Sequence, residues 1–440
     1  MKKFLKYILV APAAIMTMAL TGCSDNDADK DKGKDPKVEY FRYTNPGSAP
    51  ITEAYLGEKI AICGSDLGDV QQVWFNDQKA QLNPAYITSE AIIVEIPNAI
   101  SDNVTNTVKL VTSQGNSATV DFYTMVPDPI VTSMSCEWAK PGDVVDIIGD
   151  YFVNDNEYPI QITFPGGATV AQEDILEFSR TKMTVKVPQG ADQEGRPTVT
   201  TRYGEGLSAF VYRDSRGMIL DWDGVRGQAV DKANGWRPGD KICYTDFQGI
   251  PSLDGKYICF NGTKADYNDM GEDNFSFSHW PVTENGDASL DISTLFDYEN
   301  YADYCLKFEV FVPSSTPWTI CSLNMLFTPA DIFGENDYYF SEDAPYPYPR
   351  AMWTPWNSNG GTYDTGDKWI TVSFPLTDFN KDRYLNDCAR KMTKDDFHGL
   401  SMIVSWGPFS EATNVPVTIA IDNIRVCLQS EPMPEKPEKK

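Results

Sequence analysis

Large aromatic side chains in loop-like segments of the C-terminal half are the residues in this sequence best suited to binding a ligand. Residues 214–440 hold 34 of the 54 Phe, Tyr and Trp, including eight of the ten Trp. Trp318 follows Ser-Ser-Thr-Pro, and Trp353, Trp356 and Tyr363 lie in a segment equally rich in Pro, Gly and Asn. A ring left exposed there forfeits a burial worth about 2 kcal/mol unless a ligand supplies it.

The chemistry that such rings support is stacking against sugars. Their flat apolar faces suit the C–H faces of pyranose rings, and an indole N–H can donate to a hydroxyl. Neighbouring prolines limit the entropy of the loop and hold a ring in place. The side chains predicted to bind a glycan are Trp318, Trp353, Trp356, Tyr363, Arg350 and Trp280. The rings could instead pack their loops onto the domain, and Arg350 could cap a loop carbonyl.

The chain carries a large excess of negative charge. It contains 63 Asp and Glu against 37 Lys and Arg, a formal net charge of −26. Such a polyanion is repelled by nucleic acids and by anionic membrane faces, which excludes both as partners. Residues 214–440 alone have 35 acidic and 19 basic side chains. We therefore expect their ligand to be a neutral glycan and not a uronate-rich or sulfated one.

Histidine and cysteine give no metal-binding or cofactor-binding pattern. The two histidines, His279 and His398, are far apart along the chain, and no cysteine pair has the C-x-x-C spacing of zinc or redox sites. Residues 25–36 begin like a calcium loop but lack its central Gly and closing Glu. We predict no metal and no cofactor. Eight cysteines follow Cys23, mostly in apolar strand-like runs, and we expect most to be free and buried, with some pairing left open.

The first 22 residues have the pattern of a lipoprotein signal peptide. Three lysines precede an apolar stretch, residues 8–20, that is too short to span a bilayer. The following Leu-Thr-Gly-Cys resembles a bacterial lipobox, which implies cleavage before Cys23 and lipidation of that residue. An ordinary signal peptide with a chance cysteine is the alternative.

The polar segment after Cys23 is predicted to be a tether. From Ser24 to Pro36 there is no apolar residue larger than Ala, so we expect residues 23–38 to be flexible. Acidic residues directly after a lipidated cysteine also resemble the surface-export signal of Bacteroidetes lipoproteins. The resemblance implies a lipid anchor in the outer membrane, with the protein on the cell surface.

An internal repeat divides the N-terminal half into two similar domains. Residues 57–64 and 142–149 share the order Gly, acid, strand pattern, Gly, and later strands match in turn. Short strands of period two, separated by Gly and Pro, predict β-sandwiches over residues 39–126 and 127–213. Their order of strands and turns resembles the IPT/TIG immunoglobulin-like family, whose members usually space or dimerise other modules.

Residues 214–430 are predicted to form one larger β-domain. Residues 306–312 alternate polar and apolar side chains, and no long helical periodicity occurs. The segments 219–224 and 369–379 resemble strands of jelly-roll carbohydrate-binding modules. The predicted fold class is therefore all-β: two tandem immunoglobulin-like (IPT/TIG) β-sandwiches, then a larger jelly-roll-like β-sandwich that binds carbohydrate. Residues 431–440 are predicted to be a flexible tail.

The lipobox, the acidic tether, the tandem immunoglobulin-like domains and the aromatic C-terminal domain together resemble a Bacteroidetes surface glycan-binding protein. The type is SGBP-B, with a xyloglucan-binding-type C-terminal domain, and the resemblance covers nearly the whole chain. It implies non-catalytic capture of β-glucans such as xyloglucan, mixed-linkage glucan or β-1,3-glucan, beside a TonB-dependent transporter and its lid lipoprotein. Trp318 and Trp353 match the two aromatic positions of that family, whereas Met352 stands where a further aromatic is expected.

Two other functions remain open at this point. A glycoside hydrolase needs a pair of carboxylates, and the 35 acidic residues of the C-terminal part guarantee pairs by chance, although no local motif marks a catalytic pair. A surface adhesion or scaffold protein would use the immunoglobulin-like domains, and its residues 214–430 would not retain glycan.

Overall fold

Strands dominate the fold, which confirms the predicted all-β class. A computed structural model describes residues 27–223, 243–269, 274–279, 281, 291–330 and 348–433. The chain divides into two compact units, Met1–Pro127 and Asp128–Lys440. The finer domain boundaries proposed from the sequence stay predictions. None of the helices in the described residues is long or apolar enough to span a membrane.

The first unit contains an immunoglobulin-like sandwich of two four-stranded sheets. One sheet has the order β2-β1-β4-β7 and the other β6-β5-β8-β9, while β10 pairs in parallel with β3. Phe122 lies in the core, with its ring 4.5 Å from that of Phe41 and 5.9 Å from that of Phe75. The strands are β1 (Lys37–Tyr43), β2 (Pro50–Ile51), β3 (Glu53–Tyr55), β4 (Lys59–Ser65), β5 (Val70–Phe75), β6 (Gln78–Lys79), β7 (Ala91–Glu95), β8 (Thr107–Thr112), β9 (Ser117–Asp121) and β10 (Tyr123–Met125), with short helices at Asp27–Asp31 and Pro84–Tyr86.

Part of the predicted tether is structured, so the prediction of flexibility is wrong for its second half. Asp31 lies in the short helix and is buried, and its carboxylate accepts a hydrogen bond from the backbone N–H of Gly68 at 2.9 Å. Lys34 bridges Asp31 and Asp66, at 3.1 and 2.9 Å. These bonds hold the pKa of Asp31 below its usual value although burial opposes them. Hydrogen bonds and ion pairs fix a segment that has no apolar residue to bury.

The second unit begins with another sandwich, built from a four-stranded sheet, β11-β12-β15-β14, and a three-stranded sheet, β13-β16-β17. Ile147 and Ile162 are fully buried between them, and Tyr212 closes the core with its hydroxyl near the carbonyls of Ala139 and Ala191. The strands are β11 (Ile130–Met134), β12 (Val144–Asp150), β13 (Gln161–Thr163), β14 (Ile175–Phe178), β15 (Lys182–Lys186), β16 (Thr198–Thr201) and β17 (Gly204–Leu207), with single helical turns at Pro165–Gly167 and Gln172–Asp174.

The C-terminal sandwich pairs a larger sheet with a smaller one. The larger has the order β19-β22-β29-β24-β27 with β18 also on β29, the smaller has the order β23-β28-β25-β26, and β20 and β21 form a hairpin. The strands are β18 (Met218–Leu220), β19 (Cys243–Tyr244), β20 (Asp246–Phe247), β21 (Ile250–Pro251), β22 (Tyr257–Lys264), β23 (Ser276–His279), β24 (Tyr304–Phe311), β25 (Ser322–Thr328), β26 (Ala351–Trp353), β27 (Ile370–Pro375), β28 (Gly399–Ser405) and β29 (Val415–Leu428). Short helices occur at Tyr298–Asp303, Pro355–Ser358, Leu376–Asp378 and Lys394–Asp396.

The core of this domain lies between the two sheets. Leu323, Met325 and Phe327 of β25 alternate inward, and they meet Phe308 and Val310 from β24. The alternation of residues 306–312 predicted a strand here, and in the structure both faces of β24 are buried. All eight cysteines after Cys23 are free in the structure, and six of them are buried, as expected for most of them.

The opposite face of the larger sheet is buried against the second sandwich. Phe311, Trp369 and Ala420 belong to the same apolar cluster as the core of that sandwich. Thr371 joins the two parts directly, because its N–H donates to the carbonyl of Ser135 at 2.8 Å and its hydroxyl accepts from the N–H of Glu137 at 2.7 Å. The second sandwich and the outer face of the larger sheet therefore share one core, which is separate from the core between the two sheets.

A buried network of four charges lies in this shared core. Arg425 donates to Glu309 at 2.7 Å and to Glu137 at 3.0 Å, and Lys307 donates to Glu137 at 2.7 Å. All four side chains are at most 8% exposed. Burial raises the pKa of Glu309, and the guanidinium of Arg425 opposes that rise. Two acids and two bases neutralise each other where water is excluded, and breaking such a set is far more costly than breaking a surface pair.

Arg425→Met tests this network. The substitution leaves two buried carboxylates, Glu137 and Glu309, without their shared guanidinium, so we expect the free energy of unfolding to fall by about 3–5 kcal/mol. Denaturant unfolding measures the change. The matched control is Arg180→Met, which removes a part-exposed pair with Asp150 and should cost less than about 1 kcal/mol. Equal losses in the two variants would contradict a special role for the buried set.

Asp422 is a fully buried carboxyl group next to other aspartates. Its Oδ2 atom has no hydrogen-bond partner among the described residues. The neighbouring Asn423 donates its side-chain N–H to Oδ2 of Asp254 at 3.3 Å. Burial, reinforced by the charge of Asp254, raises the pKa of Asp422 well above its usual value. Burial also raises the pKa of Asp254 and of Asp223.

Asp422→Asn tests how these carboxyl groups affect stability. A pKa that is higher in the folded protein means that folding takes up a proton. The stabilisation from this proton uptake is fully present below the pKa that the carboxyl group has in the unfolded chain, about 3.9. It is lost as pH rises through the pKa that the group has in the folded protein. We expect the free energy of unfolding of the second unit to rise as pH falls from 7 to 5, by up to about 1.4 kcal/mol per pH unit for each proton.

Asp422→Asn should raise stability at pH 7 and flatten this pH dependence, because the amide needs no proton to stay neutral. Asp378→Asn, at an exposed position of the same domain, is the control and should change neither. Denaturation at several pH values measures both variants. An unchanged pH profile in Asp422→Asn would show that this carboxyl group is not the one that titrates.

Candidate binding site

Loops at one end of the C-terminal sandwich bring the predicted ring residues together. Ser322 starts β25 opposite Ser405, the last residue of β28, and Leu323 lies opposite Trp353, the last residue of β26. β22 ends opposite the first residue of β29, and β24 ends opposite Ala420, five residues further along that strand. Backbone hydrogen bonds join the loop after β22 to the loop after β28, and the loop after β24 to the loop after β26. The loops that follow these four strands therefore meet, and we call them the loop end: residues 265–269, 312–321, 354–369 and 406–414.

Trp318, Trp353 and Tyr363 form a ring cluster at the loop end. The backbones of Trp318 and Tyr363 exchange two hydrogen bonds, of 2.7 and 2.9 Å. The Trp353 ring meets the Trp318 ring edge to face, with centroids 5.3 Å apart and planes at 83°. The Tyr363 ring lies 5.6 Å from that of Trp353, at 75°. Contacts of this kind add roughly 0.5–1.5 kcal/mol each beyond simple burial.

Two of the predicted sugar-binding rings are buried. Trp318 is 0% exposed and its indole N–H donates to the carbonyl of Ile320 at 2.6 Å. Trp356 is 7% exposed and donates to the carbonyl of Cys321 at 2.7 Å. The expectation that these two present an open face is not met, because both loops fold inward and use the N–H groups internally. Both rings pack their loops onto the domain, which was the alternative that the sequence left open.

Trp353 and Tyr363 are only half-buried. Trp353 ends β26, the edge strand of the smaller sheet, and its ring lies 5.7 Å from that of Phe374 on β27, the edge strand of the larger sheet. It also meets Phe308 of the core at 6.4 Å. The ring therefore spans the gap between the two sheet edges and keeps part of its surface open.

Arg350 lies on the opposite face of β26 from Trp353. Met352 packs with Leu326 and Trp406 on the outer face of the smaller sheet. Arg350 is two residues before Met352, so its side chain lies on the same outer face. Arg350 is 4% exposed, its guanidinium is 5.9 Å from the Trp406 ring, and its backbone pairs with Lys381. The prediction that Arg350 acts beside the ring cluster is therefore corrected by strand alternation.

Two predicted residues, Trp280 and the lipidation site Cys23, lie outside the described residues. Within the described part of the chain, no group of three or more His, Cys, Asp or Glu is arranged to hold a metal ion. A cavity of about 390 Å³ lies where the second sandwich meets the C-terminal one, lined by Cys136, Phe311, Trp369 and their neighbours. Its walls contain none of the predicted glycan-binding residues.

One further pair of rings, outside the set predicted from the sequence, lies at the loop end. Phe409 is 72% exposed, and its ring meets that of Tyr267 edge to face at 5.3 Å. The signal was present in Trp406-Gly407-Pro408-Phe409, where a ring follows Gly and Pro as in the segments that were chosen.

Comparison with known proteins places the chain in a family. The family model for the surface glycan-binding protein B xyloglucan binding domain matches residues 212–428, and that for the IPT/TIG domain matches residues 49–124. The crystal structure of the surface glycan-binding protein PbSGBP-B from Prevotella bryantii is similar over 89% of this chain and 98% of its own, with 30% identity and a TM-score of 0.74. An IPT/TIG domain-containing protein of Bacteroides ovatus is 26% identical over 230 residues, 48% of this chain and 46% of that protein, so the chain matches just under half of that relative's length.

The matched family and PbSGBP-B are glycan-binding proteins and not hydrolases, which confirms the prediction of a non-enzyme. The chain belongs to the SGBP-B family of cell-surface glycan-binding proteins.

Proposed function

We propose that this protein captures a neutral β-glucan by stacking sugar rings on Trp353 and Tyr363, with Trp318 as the buried support beneath them. The observation that carries the proposal is the pair of half-buried rings held edge to face at the loop end. Xyloglucan is the first candidate ligand, because the matched family model is named for it. Mixed-linkage glucan and β-1,3-glucan are the others.

The ring cluster is well suited to binding because it is already held in place. Trp353 is in edge-to-face contact with Trp318, Tyr363, Phe308 and Phe374. A side chain packed on so many sides loses little rotamer freedom when a ligand arrives, so more of the contact energy remains as affinity. Trp318 supplies this support from the core and needs no contact with sugar to matter for binding.

The charge of the domain selects against acidic polymers. Residues 214–440 carry 35 acidic and 19 basic side chains, which repel uronates and sulfates over long range. A neutral chain escapes this penalty and can cover the ring faces. A hydrolase would need a positioned pair of carboxylates, and the matched family and the Prevotella relative, which bind glycans and are not hydrolases, favour capture without cleavage.

The protein's place at the cell surface forms part of the proposal. Residues 1–22 would be removed, Cys23 would carry the lipid that anchors the chain in the outer membrane, and Trp280 would be a further contact at the rim of the site. A TonB-dependent transporter and its lid lipoprotein would receive the captured glycan. These points rest on the lipobox pattern and on the resemblance to surface lipoproteins.

Tyr363→Ala and Trp353→Ala test the platform. Each should weaken binding of xyloglucan or mixed-linkage glucan by tenfold or more, about 1.4 kcal/mol, because the ring face that covers the sugar is lost. Titration calorimetry on the chain downstream of Cys23 measures the affinity. The matched control is Tyr301→Ala, a half-buried ring in the same domain that packs on Phe397 away from the loop end and should leave affinity unchanged. Full affinity in both platform variants would refute the assignment.

A panel of polysaccharides tests the ligand class. We expect neutral β-glucans to retard the protein in native affinity electrophoresis, and pectin or sulfated glycans to have no effect. A reducing-sugar assay on the same glucans should stay at background over many hours. Preference for an acidic polymer would overturn the charge argument, and sustained release of reducing ends would overturn the non-catalytic assignment.

A further inference from the structure

We propose that Tyr267 and Phe409 form a second glycan-contacting subsite, so that one neutral chain lies across the loop end and touches both pairs of rings. The inference rests on the proposed function and extends it to residues that neither the sequence motifs nor the family match assign. It begins with exposure. Phe409 is the most exposed large apolar side chain of the described residues, at 72%.

The ring of Phe409 is held in position. Gly407 adopts a φ of +113°, which favours glycine, and Pro408 fixes the backbone directly before the ring. The carbonyl of Trp406 accepts a hydrogen bond from the N–H of Ser322 at 2.8 Å, which ties the start of this loop to β25. The Phe409 ring then meets the Tyr267 ring at 5.3 Å and 72°. A rigidly presented, open ring resembles the platform at Trp353 and not a mobile surface side chain.

The position of Tyr267 is also fixed. Its ring packs against the main core of the C-terminal domain, and its carbonyl lies 3.8 Å from the sulfur of Cys321. The N–H of Asn414 donates to the carbonyl of Ala265 at 3.1 Å, so the two loops that carry Tyr267 and Phe409 are joined by the backbone. The pair is therefore a built surface of two loops.

The loops that carry the two pairs of rings are joined at Cys321. Its carbonyl accepts from the indole N–H of Trp356, on the loop of Tyr363, at 2.7 Å, and its sulfur contacts the loop of Tyr267. Strands β26 and β28, which lead into the two ring-bearing loops, flank β25 and so lie about 10 Å apart. An extended oligosaccharide of a few sugar rings spans such a distance.

The charges near the second pair favour the same class of ligand. Asp266, Asp269 and Glu411 lie in or beside the two loops. The nearby Lys264 is fully buried, and its ammonium group is bound to the carbonyl of Asp269, so it is not available to an anionic ligand. A neutral chain that lies on flat ring faces meets no opposing charge here. The occupant is thus the neutral glycan already bound at the ring cluster.

Phe409→Ala tests the subsite through the dependence of affinity on ligand length. The full chain downstream of Cys23 is titrated with xyloglucan, with oligosaccharides of one and two repeat units, and with the same set from mixed-linkage glucan. We expect Phe409→Ala to weaken binding of the polymer and the long oligosaccharide at least fivefold and to leave the short one unchanged. Trp353→Ala should weaken all of them. Because Phe409 is exposed, its removal should not change the melting temperature.

The control is Tyr158→Ala, a ring that is 55% exposed on the second sandwich and should change no affinity. Wild-type affinity of Phe409→Ala for every ligand length would overturn the subsite while leaving the proposed function intact. Light scattering would also overturn the subsite if the wild type is a dimer, Phe409→Ala is a monomer and glycan affinity is unchanged. The ring would then be a self-association contact. If the wild-type protein bound none of these glycans, the proposed function itself would be refuted.

Discussion

The constraint on which the second unit depends is the neutralisation of four charges that water cannot reach. Arg425, Glu309 and Lys307 stand on the face of the larger sheet that a free-standing domain would show to solvent, and Glu137 comes from the neighbouring sandwich. Each charge would cost several kcal/mol if its partners were removed. The second sandwich is therefore more than a spacer, because it supplies a counter-charge and an apolar cover without which the binding domain has an open face. Binding domain and spacer form one structural body over residues 128–433.

This arrangement divides the C-terminal sandwich into regions with different tasks. One face of the larger sheet is used for attachment, the space between the sheets is filled by the core, and the loop end carries rings that are only partly covered. The ring cluster draws its rigidity from the core, since Phe308 contacts Trp353 from the same strand that carries Lys307 and Glu309 on its other side. Attachment and the support of the ring cluster thus depend on opposite faces of one strand, β24.

Much of this fold could be predicted from sequence because it depends on local periodicity. The alternation in residues 306–312, the paired Gly-bounded strands of the repeat and the absence of helical patterns led to an all-β chain. Burial, in contrast, depends on distant residues. Alternation in residues 306–312 does not show that Lys307 and Glu309 are buried, which depends on the distant Glu137 and Arg425. Trp318 was predicted to be an exposed ring on a loop, yet its backbone pairs with that of Tyr363, 45 residues further along the chain. Arg350 and Trp353 looked like neighbours, yet strand parity puts them on opposite faces. Phe409 follows Gly and Pro as the predicted rings do, but how far its ring is exposed depends on the turn at Gly407.

The position of β29 in the larger sheet has a consequence for how the protein comes to be folded. This fourteen-residue strand lies in the middle of the sheet, between β22 and β24, and it also pairs with β18. It is nevertheless the last of the described strands to be made. Until Leu428 has left the ribosome or crossed the membrane, β22 and β24 have no shared partner and their edges stay open. Contacts of such long sequence separation form slowly because the loop between them must close first. The larger sheet of this domain therefore assembles around a strand that is made after every strand it pairs with.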